Sequence, residues 1–259
     1  MGFVSVAHAA EEGGLSIHLA PQVLGHVFGI PLTNTLVTVW FVMIVLAVLV
    51  FFIRKNLTEV PGKLQLVIES LIGYVHDFVE ETLENKVLAK KVFPLVLTIF
   101  IFVLAANWIG LLPGVDSIGI TTEQHGESSF IGFLHPANTD LNITLALALI
   151  SFFAIEVIGI SLLGAFTYAR KFLNFGSPMK LMVGIIELFS EFARLISFAF
   201  RLFGNIFAGK TLILVAIFFV PYVVPVPLLA FELFVGFIQA FIFAILTLFF
   251  IKLAVEMPH

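Results

Sequence analysis

The stretch RLFGNIFAGKT, residues 201–211, admits two readings that imply different folds. Gly204, Gly209, Lys210 and Thr211 match G-x-x-x-x-G-K-[ST], the phosphate-binding loop of many nucleotide hydrolases. Such a loop follows a strand and turns its backbone N–H groups toward phosphate. Here I-F-A fills the middle, and apolar, helix-compatible sequence runs on both sides. The context selects a helix inside a membrane segment, and nucleotide binding at this stretch is not expected.

Composition agrees. Of 259 residues, 60% are hydrophobic and 12% charged, with a mean hydropathy of +1.13. Soluble domains carry about 25% charged residues. The chain therefore reads as a polytopic membrane protein, with most of its 31 phenylalanines in the apolar runs. Cysteine is absent, which removes disulfides, iron–sulfur clusters and thiolate metal sites. The seven histidines (His8, His18, His26, His76, His125, His135 and His259) fall outside the long apolar runs, which disfavours a haem-bearing electron-transfer subunit. The first ten residues lack the basic start and long apolar region of a signal peptide and read as an ordinary tail.

A bilayer core takes about 20 apolar residues as helix. Five candidate spans follow, at roughly 34–53, 92–112, 140–165, 179–219 and 228–253. Thr139 or Asp140 is suited to cap the third; Ser177 and Pro178 are suited to open the fourth. The basic residues Arg54, Lys55, Lys63, Lys86, Lys90, Lys91, Arg170, Lys171, Lys180 and Lys252 lie on one side, while 1–33, 113–138 and 219–227 hold none. That is a positive-inside pattern with the N-terminus outside and the C-terminus cytoplasmic. The expected organisation is an outer N-terminal segment 1–33, a first transmembrane helix 34–55, an amphipathic surface helix 60–84, a transmembrane hairpin 92–165 with an outer loop 113–138, and a long tilted hairpin 178–254. In the surface helix Leu64, Val67, Ile68, Leu71, Ile72, Val75, Phe78 and Val79 recur at helical spacing against an acidic face.

Three basic residues remain inside the membrane run: Arg194, Arg201 and Lys210, accompanied by Glu187 and Glu191. As one helix, 179–219 would be about 60 Å long against a hydrocarbon core of about 30 Å. It must be tilted, partly in-plane or broken. Glu187, Arg194 and Arg201 are spaced seven and seven, so they share a stripe with Glu191 and Asn205. An intramembrane arginine costs several kcal/mol. Arg194 has Glu191 one turn away, and the structural reading there is an ion pair. Arg201 has only Asn205 and Lys210 downstream, and neither neutralises it. If the last two runs form an antiparallel hairpin near residue 223, Lys210 and Glu232 pair toward the outside. Arg201 and Gln239 then meet at mid-depth, with Asn205 between the two pairs and Glu187 and Glu191 inward. Such a polar column suits an ion path with one fixed positive barrier.

FRLFGNIFAG (200–209), followed by IQAFIFAILT (238–247), resembles the a subunit of F-type ATP synthases, and FPLVLTIFIFVLAANWIGLLPG (93–114) and DLNITLALAL (140–149) look like that family's earlier spans. The resemblance covers the chain from about residue 60 onward. It implies an all-α integral membrane protein of five membrane-associated spans plus the surface helix, its last two helices lying as a long, tilted hairpin against a ring of c subunits. It implies a non-catalytic stator subunit conducting protons, with sodium ions as the alternative, through two half-channels to the ring carboxylates. The partners implied are the c-ring, b-type stator subunits, the soluble ATPase head and membrane lipid, without cofactor, metal or nucleic acid. The family's essential arginine corresponds to Arg201. Asn205 and Gln239 correspond to outer half-channel positions, Glu187 to a carboxylate of the inner exit path, and Asp140 and Asn142 to polar positions near the outer opening. A bacterial inner membrane fits the resemblance. One departure stands out: after A-G the family usually carries Glu or His, matched by His or Glu on the last helix, whereas here the pair is Lys210 and Glu232. Whether Lys210 relays protons or only positions Glu232 stays open at this point. The rival classes are a solute transporter or stand-alone channel, which often shows internal repeats, and a proton-pumping subunit of a redox complex. No repeat is present.

Overall fold

The computed structural model describes residues 21–27, 29–58, 61–112, 114–115, 118–124, 127–172, 178–221 and 223–256. The N-terminal tail and Ser177 lie outside these residues. The chain is an all-α integral membrane protein, with five described helices long and apolar enough to cross a membrane. In order they are α1 (Asn34–Lys55), α3 (Lys86–Ile109), α4 (Leu141–Leu163), α6 (Pro178–Phe219) and α7 (Pro225–Val255). Two further helices are α2 (Lys63–Leu83) and the short α5 (Ala165–Phe172). Two antiparallel hairpins that helical periodicity does not foresee precede α1 and α4: β1 (Val23–Val27) with β2 (Ile30–Thr33), and β3 (Gly119–Gln124) with β4 (Glu127–Gly132).

Side-chain caps set the helix starts. Thr33 accepts from Leu36 N at the start of α1, and Asp140 accepts from Asn142 N (2.9 Å) at the start of α4. Asn85 accepts from both Val87 N and Leu88 N (3.1 Å each), so α3 begins six residues before its apolar run. Pro225 and Pro227 fall in the first turn of α7, where the missing N–H groups have no intrahelical acceptor. Gly164, at φ +81°, ends α4 and turns the chain into α5. Of the three possibilities for 179–219, the broken one is set aside: α6 is a continuous helix of 42 residues.

α7 lies at the centre, packed against α3, α4 and α6. Gly236, Ala240 and Ala244, four residues apart and all buried, give it a narrow face. That lets neighbouring backbones approach closely, the usual basis of helix association in lipid. The Cβ of Asn107 on α3 stands 3.2 Å from where a side chain at Gly236 would begin. Phe198, Leu202 and Ile206 of α6, and Phe243, Leu248 and Ile251 of α7, fill the core with Val92, Val96, Ile99 and Val103 of α3. α2 packs only its second half, through Val79 and Leu83; Val67 and Leu71 are 66% and 59% exposed. At the end of α7, Lys252 Nζ donates to Glu84 Oε1 (2.9 Å) just past α2. Lys252 holds the Glu84 carboxyl below its ordinary value.

Tyr168 of α5 is buried against Gly159 of α4, beside Glu156. Burial first, and then the Glu156 charge, push its hydroxyl pKa above the ordinary range, so it stays protonated at any working pH. A Cβ at Gly159 would come 2.6 Å from Tyr168 Cε2 and 3.3 Å from the Ala254 carbonyl oxygen. Gly159→Val should therefore cost about 1–3 kcal/mol by overpacking, read as a lower unfolding midpoint of the purified chain in detergent.

Candidate functional site

α6 carries every charge left over from the positive-inside count. Its exposed stripe runs through Ser197, Arg201, Asn205, Ala208 and Leu212, the three- and four-residue steps of one helical face. Arg201 stands exposed on this stripe, and its Nη2 donates to Ser197 Oγ (3.1 Å). Among the described residues no carboxylate meets it. A Cβ at Gly204 would find nothing within 4 Å, so the room that glycine leaves beside Arg201 opens away from the chain.

The sequence-derived column forms with different pairs. Gln239 is buried on α7, and its Oε1 accepts from Asn205 Nδ2 rather than meeting Arg201. Lys210 and Glu232 do not pair either. Glu232 is 4% exposed, and its carboxylate lies directly over Gly209, where a Cβ would collide with it. The hairpin register is as expected to within one turn, but successive helix positions are rotated by about 100°. Position 209 faces α7, and Lys210 is turned away from it. Lys210 Nζ instead stands 3.2 Å from His135 Nδ1 and 3.4 Å from Nε2.

His135 belongs to the segment Phe133–Asp140 between β4 and α4, which is buried from His135 onward and closed by a 3-10 turn at Ala137–Thr139. Its backbone N–H donates to Thr38 Oγ1 of α1 (2.9 Å). Asn138 Nδ2 donates to Asn107 Oδ1 of α3 (2.6 Å), and Asn107 Nδ2 donates to the Gly236 carbonyl of α7 (2.9 Å). Asp140 accepts from Thr35 Oγ1 (2.8 Å) and from Asn142 Nδ2 (3.0 Å), which ties α1 to the start of α4. Asn142 itself is exposed. Three buried polar atoms here have no hydrogen-bond partner among the described residues: Asn138 Oδ1, Glu232 Oε1 and Gln239 Nε2. Buried polar atoms are normally satisfied, so these three are placed to exchange hydrogen bonds with water.

On the other side of Arg201, Arg194 Nη1 meets the buried Glu191 Oε1 at 2.9 Å, the pairing expected from their spacing. The Arg194 guanidinium also lies over the Phe250 ring of α7 at 4.8 Å. Glu187 is half-buried one turn earlier, 14 residues or about 21 Å of helix from Arg201, and so the two do not meet. Glu156 and Tyr168 complete this group and do not figure in the sequence reading. An intramembrane carboxylate in the third apolar run was the signal for Glu156, and an Asn inside the second was the signal for Asn107. Nothing in the local sequence marked His135, which is 75 residues from Lys210.

The chain matches the family described as ATP synthase A chain over residues 36–252. It is 36% identical over 238 residues to the ATP synthase subunit a of Mycobacterium ulcerans, covering 88% of each chain. It is 33% identical over 220 residues to that of Geotalea uraniireducens, covering 85% of this chain and 86% of the relative. It is also 33% identical over 236 residues to the sodium ion specific ATP synthase subunit a of Propionigenium modestum, covering 90% and 78%.

Because the Glu232 carboxylate occupies the space above Gly209, Gly209→Ala should displace it and lower the unfolding midpoint. Adding Glu232→Ala should recover part of that loss, giving a coupling of about 0.5–3 kcal/mol in a double-mutant cycle.

Proposed function

The chain belongs to the ATP synthase A chain family, and on that premise we propose that Arg201 is the fixed charge separating two half-channels that serve a rotating c-ring. As a family member the chain is an ion-translocating membrane subunit of the Fo sector. The observation that carries the finer reading is the exposure of Arg201 on an open stripe, with Ser197 as its one hydrogen-bond partner among the described residues. A permanent cation in that position fits an anion supplied by another subunit. Arginine stays protonated at any working pH, so it keeps a facing ring carboxylate ionised and blocks direct leakage between the half-channels. A carboxylate near the guanidinium has a lowered pKa; one that moves away into lipid has a raised pKa and carries its proton. Rotation and ion transfer are then one event.

The outer half-channel is formed by Lys210, Glu232, Asn205 and Gln239, with Asp140 and Asn142 at its mouth; its unsatisfied polar atoms support this assignment. The inner path runs past Glu187, with Glu191 and Arg194 beside it. The subunit is non-catalytic, and nucleotide chemistry resides on the soluble head. The exposed apolar surfaces of α1 and of the first half of α2 suit lipid and b-type stator subunits. The N-terminus lies outside and the C-terminus in the cytoplasm, across a bacterial inner membrane.

Arg201→Ala should abolish ATP synthesis and ATP-driven pumping in inverted vesicles while the c-ring and the ATPase head still co-purify. Coupled synthesis that survived it would sink the role given to Arg201. Gln239→Leu should slow coupled transport without eliminating it, since a polar neighbour tunes the path and does not carry the barrier.

A further inference from the structure

We propose that Asn107 and Trp108 are positioning residues of the outer half-channel: side by side on α3, they hold two backbone carbonyls of α7 and so fix the rotation that turns Glu232 and Gln239 toward α6. The inference rests on the half-channel reading above. Asn107 Nδ2 donates to the Gly236 carbonyl (2.9 Å), and Trp108 Nε1 donates to the Leu233 carbonyl (3.1 Å). A helical carbonyl accepts one bond within its helix and keeps a second lone pair for a side chain. The two carbonyls are three residues apart, on one side of α7. Both lie within the stretch from Glu232, over Gly209, to Gln239, the partner of Asn205. Turning α7 by one helix position, about 100°, would carry both carbonyls away from α3. Gly236 is what lets Asn107 come so near: a Cβ there would stand 3.2 Å from Asn107 Cβ and 3.8 Å from its Nδ2. Trp108 is 43% exposed, and its N–H is what ties it to α7.

The bracket has a direction. The Gly236 carbonyl can only accept, so the Asn107 amide must turn its Nδ2 there and its Oδ1 away. Asn138 meets that oxygen with its own Nδ2 (2.6 Å), which leaves Asn138 Oδ1 at the end of the chain. That oxygen has no partner among the described residues, and Asn138 is fully buried. An amide oxygen only accepts, so the group that completes the chain must donate, as water does. Position 107 therefore needs a donor toward α7 and an acceptor toward Asn138. Aspartate there would set an oxygen against the Gly236 carbonyl and break the chain. Its protonated form would donate again to Gly236 and still accept from Asn138.

The test uses the whole ATP synthase complex in phosphatidylcholine liposomes, the head facing out, so that the outer half-channel opens to the lumen. Synthesis is driven by an imposed membrane potential with sodium ions on both sides, which serves a proton- or sodium-driven enzyme alike. Each variant's rate is taken relative to the wild type at the same lumenal pH. Asn107→Leu neither donates nor accepts, and the assembled complex should lose about ten-fold or more at every pH. Asn107→Asp should be as slow at about pH 8. Its relative rate should climb by about three-fold or more as lumenal pH falls to about 5, which a merely structural contact would not do. Glu232 of α7, Asp140 at the start of α4, His135 and Lys210 of α6 are the titratable groups on the elements packed around the bracket. They are common to variant and wild type and cancel in the ratio. Trp108→Phe keeps an aromatic ring and loses the N–H; it should slow synthesis about two- to ten-fold while the c-ring and head still co-purify. A flat Asn107→Asp ratio, or a wild-type rate in Asn107→Leu or Trp108→Phe, would overturn the proposal while Arg201→Ala stays inactive. If the Asn107 variants fail to assemble, Trp108→Phe decides. Coupled synthesis in Arg201→Ala would instead remove the reading beneath it.

Discussion

A charge in hydrocarbon costs several kcal/mol unless an opposite charge, water or a polar shell receives it. α6 carries three cations into the membrane run, and each is handled differently. Arg194 is neutralised by Glu191 and covered by the Phe250 ring. Lys210 is turned out of the helix hairpin into a polar segment, against His135. Arg201 remains on the open face with a serine hydroxyl. The cost is met within the chain at the first two positions; at the third, the proposed function leaves it to a neighbouring subunit. The central position of α7 serves the same arrangement, since its small residues let α3 and α6 close around Glu232 and Gln239.

Much of this was legible in the sequence, and the failures have a common cause. Span existence followed from apolar run length, and the Asp140 cap and the Arg194–Glu191 pair followed from local spacing, which helical geometry converts directly into proximity. Register across the α6–α7 hairpin was also within reach, because distance from a turn fixes it. Rotation was not. A single step along a helix turns a side chain through about 100°, so Lys210 was matched to Glu232 although Gly209 is the residue that faces it. The Gln239 partner was misassigned by one turn along the same face, to Arg201 instead of Asn205, because distance from a turn fixes register only to within a few residues. The Asn107–Asn138 and Lys210–His135 contacts arise through loop geometry that no periodicity encodes.

The polar groups fall into two sets divided by Arg201. The outer set is built largely from amides, hydroxyls, an imidazole and one carboxylate, several of them incompletely hydrogen-bonded. In the inner set a closed ion pair, Glu191 with Arg194, sits near Glu187, Glu156 and Tyr168. Incompletely satisfied groups exchange partners at low cost; a closed ion pair does not. The two halves thus differ in stiffness as well as in composition.

The empty volume above Gly204 carries a consequence of its own. Among the described residues no atom lies within 4 Å of a Cβ at that glycine, so a methyl group there leaves the subunit's packing untouched. Under the proposed function the constraint is held by another surface sliding past. On that proposal folding and turnover make separate demands on this residue: the subunit alone is indifferent, and only a moving assembly feels the difference.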